Sequence, residues 1–218
     1  MKKRRGTRIT RRKLLIGFIG MLFGLYAVAY LAANYEGSPP ESPYSLSAQV
    51  LEYESEVEAE LKKAGLENYT AVVLALMMQE SGGRGTDPMQ ASESYCGEVG
   101  CIKDPNISIE KGVEYFGRVL TAADYDVKLA LQSYNFGRGF IDFVQQNGDG
   151  YTQDLAIQFS QQKYKELSHT GKYSCIREEA EKYEACYGDI LYVDAVLNYY
   201  EEALKHTKDT KVVAFQSS

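Results

Sequence analysis

Eleven residues, Tyr69-Thr-Ala-Val-Val-Leu-Ala-Leu-Met-Met-Gln79, carry no charge and present no polar face. A helix that is apolar on every side has to be surrounded, so this run predicts the central helix of a helical domain. Glu80 closes the run, and the loop Ser81-Gly-Gly-Arg-Gly-Thr-Asp87-Pro-Met-Gln90 follows at once. A carboxyl at the end of a buried helix is partly desolvated and faces the negative end of the helix dipole. Both effects favour its protonated form. That is the condition for a general acid near neutral pH.

The chain has 218 residues, enough for one catalytic-size domain and an appendage. Its first 13 residues, MKKRRGTRITRRK, hold eight basic side chains and no acidic one. Leu14 to Ala33 is a twenty-residue uncharged apolar run. At a rise of about 1.5 Å per residue it matches a hydrocarbon core of about 30 Å. The basic flank predicts a cytoplasmic segment at 1–13, a signal-anchor at 14–33, and everything after Asn34 outside the cell. A cleaved signal peptide would have a shorter apolar region and a clearer small-x-small site than Tyr30-Leu-Ala-Ala33. Residues 34–44, with their prolines and serines, read as a linker. The domain is expected at 45–206 and a tail at 207–218.

The net charge of −6 hides a division. The first 33 residues hold eight of the 24 basic groups and none of the 30 acidic ones, which leaves the remainder at −14. An acidic outer domain argues against nucleic acid as a partner. The four cysteines, Cys96, Cys101, Cys175 and Cys186, all fall in that outer part, where an even number points to disulfides. Of the three possible pairings, the two local ones are expected, Cys96 with Cys101 and Cys175 with Cys186. There is no Cys-x-x-Cys, and His169 and His206 have no partnered spacing, so neither zinc nor any other cofactor is expected.

Apolar spacing predicts further helices. One runs from a cap at Ser45 or Ser47 to Gly65, with Leu46, Val50, Tyr53, Val57 and Leu61 on one face. Another is capped by Ser108 and ends near Leu120. Others cover 126–134, 139–147, 152–167 and 190–206. No strand alternation or internal repeat is visible. Residues 81–106 form a long loop of the kind that usually carries function. The 18 tyrosines offer faces for sugars, although most such residues are packing groups with a wet hydroxyl.

Two segments, MMQESGGRGTDPMQASES and LALQSYNFGRGFIDFV, together resemble the lysozyme-like muramidase domain of Gram-positive cell-wall hydrolases. That domain also occurs in the bifunctional hydrolases of conjugative elements and in proteins related to pneumococcal vaccine antigen A. The resemblance runs from about Leu46 to Leu167. It implies a mainly α-helical, lysozyme-like fold and cleavage of the β-1,4 bond between N-acetylmuramic acid and N-acetylglucosamine in peptidoglycan glycan strands. Glu80 matches the family's catalytic glutamate, and Asp87 an aspartate thought to assist it. Met89-Gln90 resembles the end of a Gly-Leu-Met-Gln signature, with Asp-Pro standing in place of Gly-Leu. Tyr134-Asn135-Phe-Gly137 resembles a Tyr-Asn-x-Gly signature. Ser81, Gln90, Tyr134 and Asn135 are accordingly expected to bind substrate, with Tyr134 touching the Glu80 carboxyl.

Each residue also has a plainer reading. Glu80 is a solvated helix end, Ser81 satisfies helix-end backbone groups, Asp87-Pro88 starts a turn, and Asn135-x-Gly137 stops a helix. Glu93 and Asp104 are alternative second carboxylates. A lytic transglycosylase giving 1,6-anhydro products is the nearest alternative chemistry, and a non-catalytic wall-binding scaffold is the alternative of another class. The cysteine peptidase domain of the bifunctional relatives is not expected. A secretion or conjugation apparatus is the expected partner.

Overall fold

A computed structural model describes residues 43–207. The expected cytoplasmic segment, span and linker at 1–44, and the tail at 207–218, lie outside the described residues except at positions 43, 44 and 207. Among the described residues no helix is long and apolar enough to cross a membrane.

The fold is helical, with no strand among the described residues. In order come α1 (Ala48–Glu52), α2 (Glu54–Lys63), a 3-10 turn (Glu67–Tyr69) and α3 (Thr70–Glu80). Then come α4 (Ser92–Cys96), α5 (Pro105–Ala122), α6 (Val127–Phe136), α7 (Gly139–Asn147) and α8 (Gln153–Leu167). A second 3-10 turn (Ser168–Thr170), α9 (Glu178–Glu181), α10 (Tyr192–Leu197) and α11 (Tyr200–His206) complete it.

The apolar run is α3, and Thr70 through Met77 are all buried. It is enclosed by α1 and α2 from the start of the domain and by α10 and α11 from its end. Leu74, Leu76 and Met77 are fully buried, and each such side chain contributes about 1.5–3 kcal/mol relative to exposure. Around α3, α5 packs on α2 and α6, and α7 joins α6 to α8. Phe136, Phe140 and Phe159 form an aromatic cluster where α6, α7 and α8 meet, with ring centroids 5.2–5.5 Å apart. Tyr187 packs on Phe136 and Phe159 from the far end of the chain.

Three expected elements differ in the structure. Ser108 does not cap a helix: α5 begins three residues earlier, because Pro105 takes its first turn and the Asp104 side chain accepts the Asn106 N–H. Asp104 therefore serves as the cap of α5. The helix expected up to Gly65 is capped by Ser47 but interrupted at Tyr53, whose N–H bonds back to Val50 O in a tightened turn. The helix expected from 190 to 206 is likewise divided, with Tyr199 N–H bonding to Val196 O. The cysteines are paired locally, Cys96 with Cys101 and Cys175 with Cys186.

Gly112 in α5 shows how closely the 81–91 loop is laid down. A Cβ there would stand 2.5 Å from Met89 Cβ and 2.8 Å from its Cγ. Met89 is fully buried, so it has no room to retreat. Gly112→Val should therefore destabilise the fold by about 1–3 kcal/mol, measured by urea denaturation. An unchanged midpoint would mean that the loop can move away freely.

Candidate active site

Glu80 is the last residue of α3, only partly exposed, and its Oε1 accepts a hydrogen bond from the Tyr192 hydroxyl of α10. Burial is the largest influence on the carboxyl and pushes its pKa up. The Tyr192 bond favours the ionised form and opposes this, while the negative charge of Asp87 adds to the rise. The balance lies at about 7, against an ordinary 4.5. Tyr192 itself is buried, and burial together with the Glu80 charge holds its hydroxyl well above the usual phenol range. It therefore stays a neutral donor.

Asp87 has the opposite environment. Its Oδ1 accepts from Ala91 N–H at 2.9 Å and Ser108 Oγ at 2.6 Å. Its Oδ2 accepts from Ser92 N–H at 3.0 Å and Ser92 Oγ at 2.6 Å. Burial would raise its pKa, but these four hydrogen bonds outweigh it and hold the carboxyl below its ordinary range. Four bonds use essentially all the acceptor capacity of a carboxylate. Asp87 is thus a fixed anion that folds residues 88–92 around itself.

Ser81 is buried in the same loop. Its hydroxyl donates to Pro88 O at 2.7 Å and accepts Gly83 N–H at 3.0 Å. It braces the loop and makes no contact with Glu80. Gln90 is exposed in the left-handed region at φ 49°, and its side-chain amide donates to Asp87 O at 2.9 Å.

The Tyr134 hydroxyl is spent on the loop backbone rather than on the Glu80 carboxyl. It is buried and donates to Met89 O at 2.8 Å, which ties the end of α6 to the loop. The hydroxyl that bonds the Glu80 carboxyl is that of Tyr192, 112 residues downstream of Glu80. Asn135 accepts Asp189 N–H through its Oδ1 at 2.8 Å. Gln90, Tyr134 and Asn135 do share one cleft of about 570 Å³, lined also by Lys172, Tyr173, Ile176 and Tyr187 in and beside the loop that Cys175–Cys186 closes. Glu93 lines it as an exposed side chain. Glu80, Ser81 and Asp87 are not among its walls, but the Glu80 and Asp87 charges both act on Tyr134. A larger groove of about 710 Å³ between α2 and α5 holds none of these residues. Among the described residues no group of three His, Cys, Asp or Glu side chains is placed to hold a metal ion.

Sequence reasoning missed Tyr192, Ser92 and the role of Ser108. The serines sit in ordinary polar positions. Tyr192 lies in the apolar stretch Ile190-Leu-Tyr-Val193, where it reads as core.

A raised carboxyl at the end of an enclosed helix, beside a loop-built cleft, is the arrangement of a lysozyme-like protein. The chain belongs to that family, whose model matches residues 47–200. It is 38% identical over 152 residues to the membrane protein YocA of Bacillus subtilis, covering 68% of this chain and 67% of YocA. It is 37% identical over 166 residues to the bifunctional muramidase/DL-endopeptidase CwlT of Bacillus subtilis, covering 76% of this chain but only 46% of CwlT. Pneumococcal vaccine antigen A of Streptococcus pneumoniae is 34% identical over 163 residues, with 72% and 78% covered. A solved structure from Staphylococcus aureus, described as similar to a lipoprotein of the NLP/P60 family, superposes with a TM-score of 0.62 at 34% identity. It covers 72% of this chain and 54% of its own.

The raised Glu80 pKa also fixes a pH dependence of stability. The folded state favours the protonated carboxyl, so this contribution is complete below pH 4.5 and is lost as pH rises through about 7. Glu80→Gln should match wild type in Tm near pH 4 and exceed it near pH 8. A Tm difference that does not change with pH would contradict the raised value.

Proposed function

We propose that the chain is a membrane-anchored, extracellular peptidoglycan hydrolase that cleaves the β-1,4 bond between N-acetylmuramic acid and N-acetylglucosamine. The observation that carries this reading is the Glu80 carboxyl, raised to about 7 by burial and held by Tyr192. The muramidase named in CwlT supports the substrate. The basic segment, the apolar run at 14–33 and the relation to the membrane protein YocA support the anchor.

Protonated Glu80 donates its proton to the glycosidic oxygen as the C1–O bond breaks, and positive charge develops on C1 and the ring oxygen. Asp87, kept ionised by its four hydrogen bonds, supplies a nearby negative charge that favours this cation. Burial, with the same charge as a smaller contribution, favours the protonated form of Glu80 in the resting site. Water attacks C1, and its proton returns to Glu80. Gln90, Tyr134 and Asn135 offer polar groups and a ring to the N-acetyl sugars along the cleft. Ser81 acts by bracing the loop that carries Asp87. The chemistry calls for no metal or organic cofactor. A tethered enzyme of this kind suits local opening of the wall for a secretion or conjugation apparatus.

One observation favours a second reading. The lone pairs of Asp87 are committed, so it is poorly placed to hold an attacking water in position, which an attacking group already tethered to the sugar does not need. The substrate's own C6 hydroxyl would then be the attacking group, as in a lytic transglycosylase.

The full chain in detergent, incubated with Gram-positive peptidoglycan, should release soluble muropeptides seen by mass spectrometry. Glu80→Gln should lower the rate by about 10²–10⁴-fold. The rate should fall as pH rises through about 7, because the acid is then deprotonated. A reducing end names hydrolysis, and a 1,6-anhydro end names transglycosylation. Equal sedimentation of both proteins on the wall without release would favour a binding scaffold.

A further inference from the structure

Asp189 is buried, yet it carries no direct role in the chemistry above. It lies three residues after Cys186 and three before Tyr192. Its carboxylate is gripped by Arg177, with Nε at 2.8 Å from Oδ1 and Nη2 at 2.7 Å from Oδ2. Oδ1 also accepts Leu191 N–H at 2.9 Å. The backbone of the same residue is equally occupied. Its N–H donates to Asn135 Oδ1 at 2.8 Å. Its carbonyl accepts Gln132 Nε2 at 2.9 Å and Tyr192 N–H at 3.2 Å. Gly188 just before it stands at φ 63°, and a Cβ there would come within 2.7 Å of Asn135 Oδ1 and of the Phe136 ring. The backbone at 188–189 is therefore pressed against the end of α6.

We infer that Asp189, held by Arg177, is a positioning residue that sets Tyr192 against Glu80 and Asn135 at the cleft. The inference rests on the glycan-cleaving reading of the site. A buried carboxylate is costly unless it is paired and hydrogen-bonded, so a site that retains one obtains a fixed point in return. Arg177 belongs to the loop closed by Cys175–Cys186, so one ion pair joins that cleft wall to α6 and to the start of α10. A planar two-pronged Arg–carboxylate contact fixes direction as well as distance. Tyr192 receives that placement through its own N–H and passes it to the Glu80 carboxyl.

The test is carboxyl-carbon NMR titration of Glu80 in the full chain in detergent, together with muropeptide-release kinetics. It compares wild type, Tyr192→Phe, Asp189→Asn, Arg177→Gln and Arg177→Lys. The groups acting on the Glu80 carboxyl are Tyr192 and Asp87, with Tyr134 nearby. Because the Tyr192 bond favours ionised Glu80, losing it moves the midpoint upward from about 7. Asp189→Asn and Arg177→Gln should shift it in the same direction as Tyr192→Phe. They should also lower kcat on the order of ten- to a hundredfold, as expected for a misplaced acid, with a smaller rise in KM from the loosened Asn135. Arg177→Lys should recover part of the loss. If Asp189→Asn does not fold, Arg177→Gln decides. Titration of the folded Asp189 or Arg177 variants at the wild-type midpoint, while Tyr192→Phe shifts, would overturn the proposal. Absence of muropeptide release by wild type would remove the glycan-cleaving reading, and the titrations would still decide whether Asp189 places Tyr192.

Discussion

The structure depends on enclosing α3. A helix whose buried residues run without a break from Thr70 to Met77 cannot lie on a surface. It takes α1 and α2 on its flanks and requires the end of the chain to return as α10 and α11. That return brings Tyr192 to Glu80. The packing that stabilises the domain and the contact that holds the proposed acid are therefore one arrangement. The cost falls on Glu80, whose carboxyl loses water because the helix it ends is surrounded.

The two carboxylates of the site have been driven apart by their surroundings. Glu80 has one hydrogen-bond donor and a desolvated setting, and its pKa rises. Asp87 has four donors, and its pKa falls despite burial. Two neighbouring acids with opposite shifts can hold one proton between them, placed on the residue proposed to give it away. The negative charge of Asp87 reinforces that placement. Strain of this kind opposes stability at high pH, as is common where a site is built for chemistry.

The 81–91 loop gains its shape from polar bonds rather than from apolar burial alone. Ser81, Asp87, Ser92 and Ser108 form a buried network that closes on backbone groups of the loop. Gly112 lets α5 approach Met89, and Tyr134 fastens Met89 O from the other side. Residues in and beside the Cys175–Cys186 loop then line the cleft, joined to the rest by Asp189.

The sequence by itself determined the helical class, the central place of α3 and the position of Glu80 at its end, because period and polarity are local properties. It also located the starts of α6 and α8, where the Asp126 and Thr152 side chains cap by accepting the Leu129 and Leu155 N–H groups. The tertiary structure alone decided which hydroxyl meets Glu80, what saturates Asp87 and what faces Asn135. Tyr134 and Tyr192 are both buried tyrosines near the end of a helix or the start of one, and nothing local distinguishes them. Ser108 reads as a helix cap until Asp104 and Pro105 are seen to take that role, which frees it to bond Asp87. Apart from Ala91 and Ser92, which reach Asp87 from four and five residues away, these partners are separated by 21 to 112 residues along the chain. Which of many similar side chains arrives at a carboxylate is fixed only when the helices pack.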